Sequence, residues 1–246
     1  MPIRVVAWNI RQGGGKRCGR IVQALINLGT DVAVISEYRH NDPWSLAEQL
    51  STAGFTYQVN GADPLGGYAG LLLASRLPLR TGDLVYRSDM DGHRFAHVTV
   101  GEWHVCGAYI PGSEPPRERK PAFWRFLLDE VEPVLRTYPA VVVGDLNTGL
   151  HYRDEPGATL VCAAEMAEFE TRGWRDGWIS RNPLARPPAT WWSPQANTPY
   201  RLDHALVSPA SLRLRHVDYP ERLEDGTPFA GPGGLSDHLP LVIDLP

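Results

Sequence analysis

Asp145 and Asn147 stand two residues apart, just past a run of β-branched apolar residues, 141–143, that ends at Gly144. A carboxylate and an amide at that spacing can face one reacting oxygen, the acid moving a proton and the amide donating a hydrogen bond. A capping Asp followed by an Asx turn would leave the same pattern. Other polar groups decide between these readings. Asn9, Glu37 and Tyr109 also close apolar runs, while Asp203 and the pair Asp237-His238 open two later ones. Glu37 with the aspartates offers hard oxygen donors and no sulfur, which suits Mg²⁺ or Mn²⁺ and not zinc. Such a cation polarises a phosphoryl oxygen and stabilises a leaving oxygen. Asp203 can hold the His238 imidazole in one tautomer and favour its charged form. Asp145 is then a candidate base for an attacking water, and Tyr109 a donor to a non-bridging oxygen.

These groups need a scaffold that gathers them. Residues 3–8 read as a strand closing at Asn9, and 31–36 as a buried strand closing at Glu37. Between them Ile21, Ala24, Leu25 and Leu28 keep a helical period that stops at Gly29. Further helices are expected over 43–52, through Phe123, Leu127, Val131 and Val134, and over 161–172. Strands are expected over 55–60, 68–74, 93–100, 103–110, 201–207, 212–217 and 239–245. Residues 150–160 read as a polar loop and 221–234, rich in Gly and Pro, as a long surface loop. If the last strands run antiparallel to the others, all the polar groups above meet at one rim. That pattern points to two packed sheets with helices outside. At 246 residues, one domain spanning 1–246 is expected.

Composition narrows the function. No apolar run approaches the roughly 20 residues of a membrane span, and the first residues lack a signal-peptide pattern. Cys18, Cys106 and Cys162 are odd in number and far apart, as reduced thiols of a cytoplasmic protein would be. A monomer is the expected state. The net charge of −4 does not advertise nucleic acid, although a nuclease needs only a local basic rim. Candidates for one are Arg117, Arg119 and Lys120, and the cluster Arg213, Arg215 and His216. The loop Arg11-Gln12-Gly13-Gly14-Gly15-Lys16-Arg17 looks like a phosphate cradle, but Arg17 stands where a P-loop has Ser or Thr.

Trp8-Asn9, Ser36-Glu37, Ala108-Tyr109-Ile110-Pro111, Gly144-Asp145-Leu146-Asn147, Arg201-Leu202-Asp203-His204 and Ser236-Asp237-His238-Leu239-Pro240 occur in that order along the whole chain. The set resembles the endonuclease/exonuclease/phosphatase superfamily. The resemblance implies a four-layer α/β/β/α sandwich and metal-dependent cleavage of phosphate esters. It implies Glu37 as principal metal ligand with Asn9 and Asp237 beside it. Asp145 would activate water or protonate the leaving group, Asn147 would bind the phosphate, Tyr109 would be the phosphate-side phenol, and His238 with Asp203 the charged pair. Arg94 matches a structural arginine of the family. Tyr109, with Thr190-Trp191-Trp192 and Tyr200 before Arg201, is similar to the exonuclease III and apurinic-endonuclease branch, whose aromatics here line a pocket for an abasic sugar. Core packing is the plainer reading for one of Trp191 and Trp192. The loop 149–155 and the short acidic segment 112–116 depart from that branch.

The reading is a Mg²⁺-dependent DNA nuclease, cutting beside abasic sites or trimming 3′ ends. Trp191, Trp192 and Tyr200 would contact the substrate, and Arg117, Arg119 and Lys120 would attract its backbone. The alternatives are a phosphoesterase acting on a small-molecule or lipid phosphate ester, and a binding module without turnover.

Overall fold

Val32, Ala33, Val34 and Ile35 are each fully buried, and a strand that dry must be covered on both faces. The computed structural model describes residues 2–41, 43–61, 68–157, 160–194, 198–211 and 214–246. In it the run lies in β2 (Val32–Tyr38), parallel to β1 (Ile3–Asn9). A parallel pair needs a crossover, and α1 (Cys18–Asn27) supplies it. After α2 (Leu46–Thr52) come β3 (Tyr57–Asn60) and β4 (Gly70–Ser75). With β13 (His216–Asp218) and β14 (Leu241–Leu245) from the far end of the chain, they complete a first sheet ordered β13-β14-β1-β2-β4-β3.

The second sheet repeats the device. Its strands are β5 (Arg80–Thr81), β6 (Phe95–Val100), β7 (Trp103–Tyr109), β8 (Ala140–Asp145), β9 (Arg175–Asp176) and β12 (Asp203–Val207), ordered β5-β6-β7-β8-β12-β9. β7 and β8 are parallel, and the crossover is α3 (Arg119–Phe126), a π turn (Leu127–Val131) and α4 (Glu132–Leu135). One unbroken helix is the sequence expectation there. Pro133 has no N–H for the carbonyl four residues back, and the helix widens just before it. α5 (Ala163–Thr171), α6 (Gly177–Arg181) and a ribbon of β10 (Trp191–Trp192) with β11 (Pro199–Tyr200) fill out the chain.

Side-chain alternation along β8 shows the layering. Val141 and Val143 join the core shared with the first sheet, while Ala140 and Val142 join a second core with Phe123, Leu127, Met166 and Phe169 of the outer helices. The sheets approach closely at Gly107, where an added Cβ would come within 2.7 Å of Leu71. Two packed mixed sheets with helices on them are the α/β sandwich expected.

Element ends differ from expectation where backbone geometry intervenes. α2 starts at Leu46 and not 43, because Ser45 is left-handed with φ 46°. β6 starts at Phe95, after a 3-10 turn over Gly92–Arg94. Residues 212 and 213 of the expected 212–217 strand lie outside the described residues, and β13 begins at His216. Gly144 has φ 143°, and a Cβ there would lie 2.2 Å from the Ala108 carbonyl oxygen. Gly144→Ala should therefore destabilise the chain by about 2–3 kcal/mol through overpacking at that point. Urea unfolding checks this, and an unchanged midpoint would refute it.

Candidate active site

The topology puts the polar groups on one edge. The strands β1, β2, β7 and β8 end there, and β12, antiparallel to β8, begins there. The segment carrying Asp237 and His238 leads into β14, antiparallel to β1. A side-chain bridge joins the two sheets at this edge. Asn9 Nδ2 donates to Glu37 Oε1 at 3.0 Å and to Asp145 Oδ2 at 2.9 Å. Asn9 Oδ1 accepts from Arg11 N at 3.0 Å, which leaves it one lone pair.

Glu37 sits at a register shift in β2 with φ 60°. A bulge of this kind re-aims a side chain, and here Glu37 Oε2 accepts from Gln12 N at 2.6 Å. Asn147 is also left-handed, with φ 46°. Its backbone N–H reaches Asp145 Oδ1 at 3.0 Å, and its amide nitrogen reaches Ile110 O at 2.9 Å and Asp145 Oδ2 at 3.2 Å. Asp145 thus accepts three hydrogen bonds, only one of them on Oδ1, and is buried. Burial pushes its pKa up to about 6, with Asp203 adding to the rise and His238 opposing it.

Asp203 pairs across the strands with Asp145, and its Oδ2 lies 2.8 Å from His238 Nδ1. Burial alone would lower the His238 pKa, but Asp203 and Asp145 outweigh it and raise the value to about 10. Trp8 Nε1 donates to His238 O at 2.9 Å, and Ser236 Oγ donates to Asn9 O at 2.6 Å. Asp145, Asp203 and His238 bring donor atoms within 4.8 Å of one another. That trio suits proton handling better than a cation, because the imidazole is already held charged by its acids. The oxygen donors of Glu37, Asp237 and Asn9 are the set that fits a hard divalent ion.

Asn9, Glu37, Tyr109, Asp145, Asn147, Asp237 and His238 line one cleft of about 470 Å³, which Trp191, Tyr200, Leu202 and Lys120 also face. Trp192 is absent from that lining and 40% exposed. Arg94 lies over the Tyr109 ring at 4.2 Å and pairs with Asp91 at 3.0 Å. The expected basic rim divides. Lys120 is buried, its ammonium donating to Asn147 O, and burial lowers its pKa. Arg119 is tied to Asp91, with Nε to Oδ2 at 2.8 Å, and Arg117 is exposed. The second basic cluster is not at the rim. His216 and Arg4 both pair with Asp244, so His216 and Arg215 lie at the far end of the sheet, about 15 Å along the strand from Asn9. Arg213 lies outside the described residues.

The model of the Endonuclease/Exonuclease/phosphatase family matches residues 6–238. The chain belongs to this family. Members hydrolyse phosphate esters, and this chain is such an enzyme. Among curated proteins no sequence matches significantly. Three solved structures share the family fold, each covering 99% of this chain and 99% of its own. They are an AP endonuclease from Archaeoglobus fulgidus (TM-score 0.79, 17% identity), a Neisseria 3′ phosphatase, NExo, bound to product DNA hairpin (0.80, 20%), and the 3′-5′ exonuclease NExo from Neisseria meningitidis (0.76, 21%). Within the family fold, sequence reasoning missed Leu160 and Leu202 as cleft residues, and Trp8 and Ser236 as the ties that hold His238 and Asn9. An isolated apolar or hydroxyl side chain carries no chemical signal of its own; only its position beside a motif hints at a role.

Proposed function

We propose that this enzyme is a Mg²⁺-dependent DNA phosphodiesterase that acts beside abasic sites or at 3′ ends, leaving a 3′-hydroxyl and a 5′-phosphate. The observation that carries the reading is the shared cleft: an aromatic wall of Trp191 and Tyr200, rings 5.9 Å apart, faces the same space as Glu37, Asp145 and His238. A small-ester phosphatase has no need of such a wall. The similarity to an AP endonuclease and to a 3′ phosphatase bound to product DNA hairpin adds support.

Glu37 and Asp237, with the free lone pair of Asn9 Oδ1, would hold the cation. When bound, it withdraws charge from the phosphoryl group and stabilises the leaving oxygen. Asp145 takes the proton of the attacking water, aligned by the Asn147 and Asn9 amides. His238, kept cationic by Asp203, and Lys120 balance charge on the non-bridging oxygens. Tyr109, whose ionisation burial opposes, stays a hydroxyl and donates to the same group. An abasic sugar has no base to unstack, so it enters the cleft at least cost. Cys18, Cys106 and Cys162 are buried thiols, which fits a reducing cytoplasm. Among the described residues no helix is long and apolar enough to cross a membrane.

An abasic duplex should be cut far faster than the same intact duplex at one salt concentration. Trp191→Ala or Tyr200→Ala should narrow that ratio more than it lowers the rate on a small chromogenic diester, while Trp192→Ala should change the ratio little. Equal rates on both duplexes, or faster turnover of a phosphomonoester or lipid head group, would replace this reading with the small-ester one.

A further inference from the structure

Thr190 lies just before the aromatic ribbon, is fully buried, and bonds to the segments that carry both members of the charged pair. Its hydroxyl oxygen accepts from Leu202 N at 3.0 Å and from Asp203 N at 3.3 Å. Its backbone N–H donates to Tyr200 O at 2.8 Å, and its carbonyl accepts from Leu239 N at 2.9 Å. The next residue, Trp191, forms a backbone bridge with His238 itself. The side chain therefore holds Asp203, and the backbone holds the ribbon and the strand beyond His238.

The topology explains why β12 needs such a fastening. β9 covers it only at Leu206 and Val207, so the residues at its start lie beyond that ladder. A buried backbone N–H without a partner is costly. Thr190 Oγ1 supplies the acceptor for two of them at once, while the Tyr219 hydroxyl donates to Asp203 O at 2.8 Å from another segment. Asp203 can thus present Oδ2 to His238 from a fixed backbone.

We propose that Thr190 is a positioning residue: its hydroxyl sets Asp203, and through Asp203 it sets His238 against the phosphate, independently of the substrate wall that its backbone anchors. Val in its place would keep the shape and lose the acceptor. The inference rests on reading Asp203 and His238 as the catalytic pair. Asp203→Ala tests that reading separately, since full activity in this variant overturns the pair and not merely Thr190.

Thr190→Val, Thr190→Ser and Thr190→Cys should be compared on duplex DNA and on a small chromogenic diester. A misplacement on the scale of an ångström costs about 10²-fold, so Thr190→Val should lose about that much kcat on both substrates with KM nearly unchanged. Thr190→Ser keeps the acceptor and should restore the rate. Thr190→Cys, a weak acceptor, should fall between, and it carries the test alone if the Val variant does not fold. In an Asp203→Ala background the Val or Cys change should add almost nothing. Retention of wild-type kcat by the Val and Cys variants, losses that multiply with Asp203→Ala, or a loss confined to KM would each overturn the proposal.

Discussion

Glu37→Gln should fold like the parent chain and lose on the order of 10³-fold or more in turnover, because a metal's stabilisation of transition-state charge is worth several kcal/mol. The substitution is isosteric, so packing hardly changes. What changes is charge. Both carboxylate oxygens of Glu37 accept hydrogen bonds, one from Asn9 Nδ2 and one from Gln12 N. Glutamine keeps only one acceptor, so one of these contacts becomes donor against donor, at a stability cost of about 1 kcal/mol. That is too small to explain a thousandfold loss by unfolding. EDTA should silence the wild type, and added Mg²⁺ or Mn²⁺ should restore it, with the variant responding only at much higher metal. Undiminished hydrolysis in EDTA after exhaustive dialysis would end the metal-dependent reading.

The fold and the rim were legible because they depend on patterns the sequence must display. Buried strands need unbroken apolar runs, so β1, β2, β7 and β8 announced themselves, and so did the polar residue that closes each one. The antiparallel return of β12 and β14 was a condition of the reading, and the register supplies it: Asp203 opposite Asp145, and Leu241 opposite Ala7. The ribbon Trp191–Trp192 with Pro199–Tyr200 was not readable as structure, since strands of two residues have no period. Nor could the sequence tell which aromatic faces the cleft. A basic run likewise says nothing of direction. Lys120 points inward to Asn147 O, Arg119 is spent on Asp91, and Arg215 lies at the wrong end of its sheet. Charge is readable from composition, whereas its use depends on register.

His238→Ala and Asp203→Ala should each lower the rate by on the order of 10²–10⁴, the range of a positioned proton-transfer or charge-stabilising group. The double variant should cost far less than the product, because the two act as one unit through a 2.8 Å contact. The pH profile carries a second signature. Asp145 must be ionised to act as base, and its pKa is raised to about 6; His238 must be protonated, and its pKa is raised to about 10. Activity should rise through the first value and fall through the second, as apparent constants of the coupled set, with a bound cation moving both downward. Stability follows the same groups. The raised His238 pKa contributes stability in full below about 6.5, its unfolded value, and that contribution fades as pH climbs through 10. Asp145 acts against folding as pH rises above 3.8, its unfolded value, and the penalty is complete once pH passes about 6, since the unfolded chain releases that proton more readily. Asp203→Asn should therefore shift the alkaline limb of kcat/KM to lower pH, and move the acidic limb in the same direction, since Asp203 also adds to the rise of the Asp145 pKa. Multiplicative losses in the double variant, or an alkaline limb that does not move in Asp203→Asn, would mean that Asp203 does not hold the charge of His238.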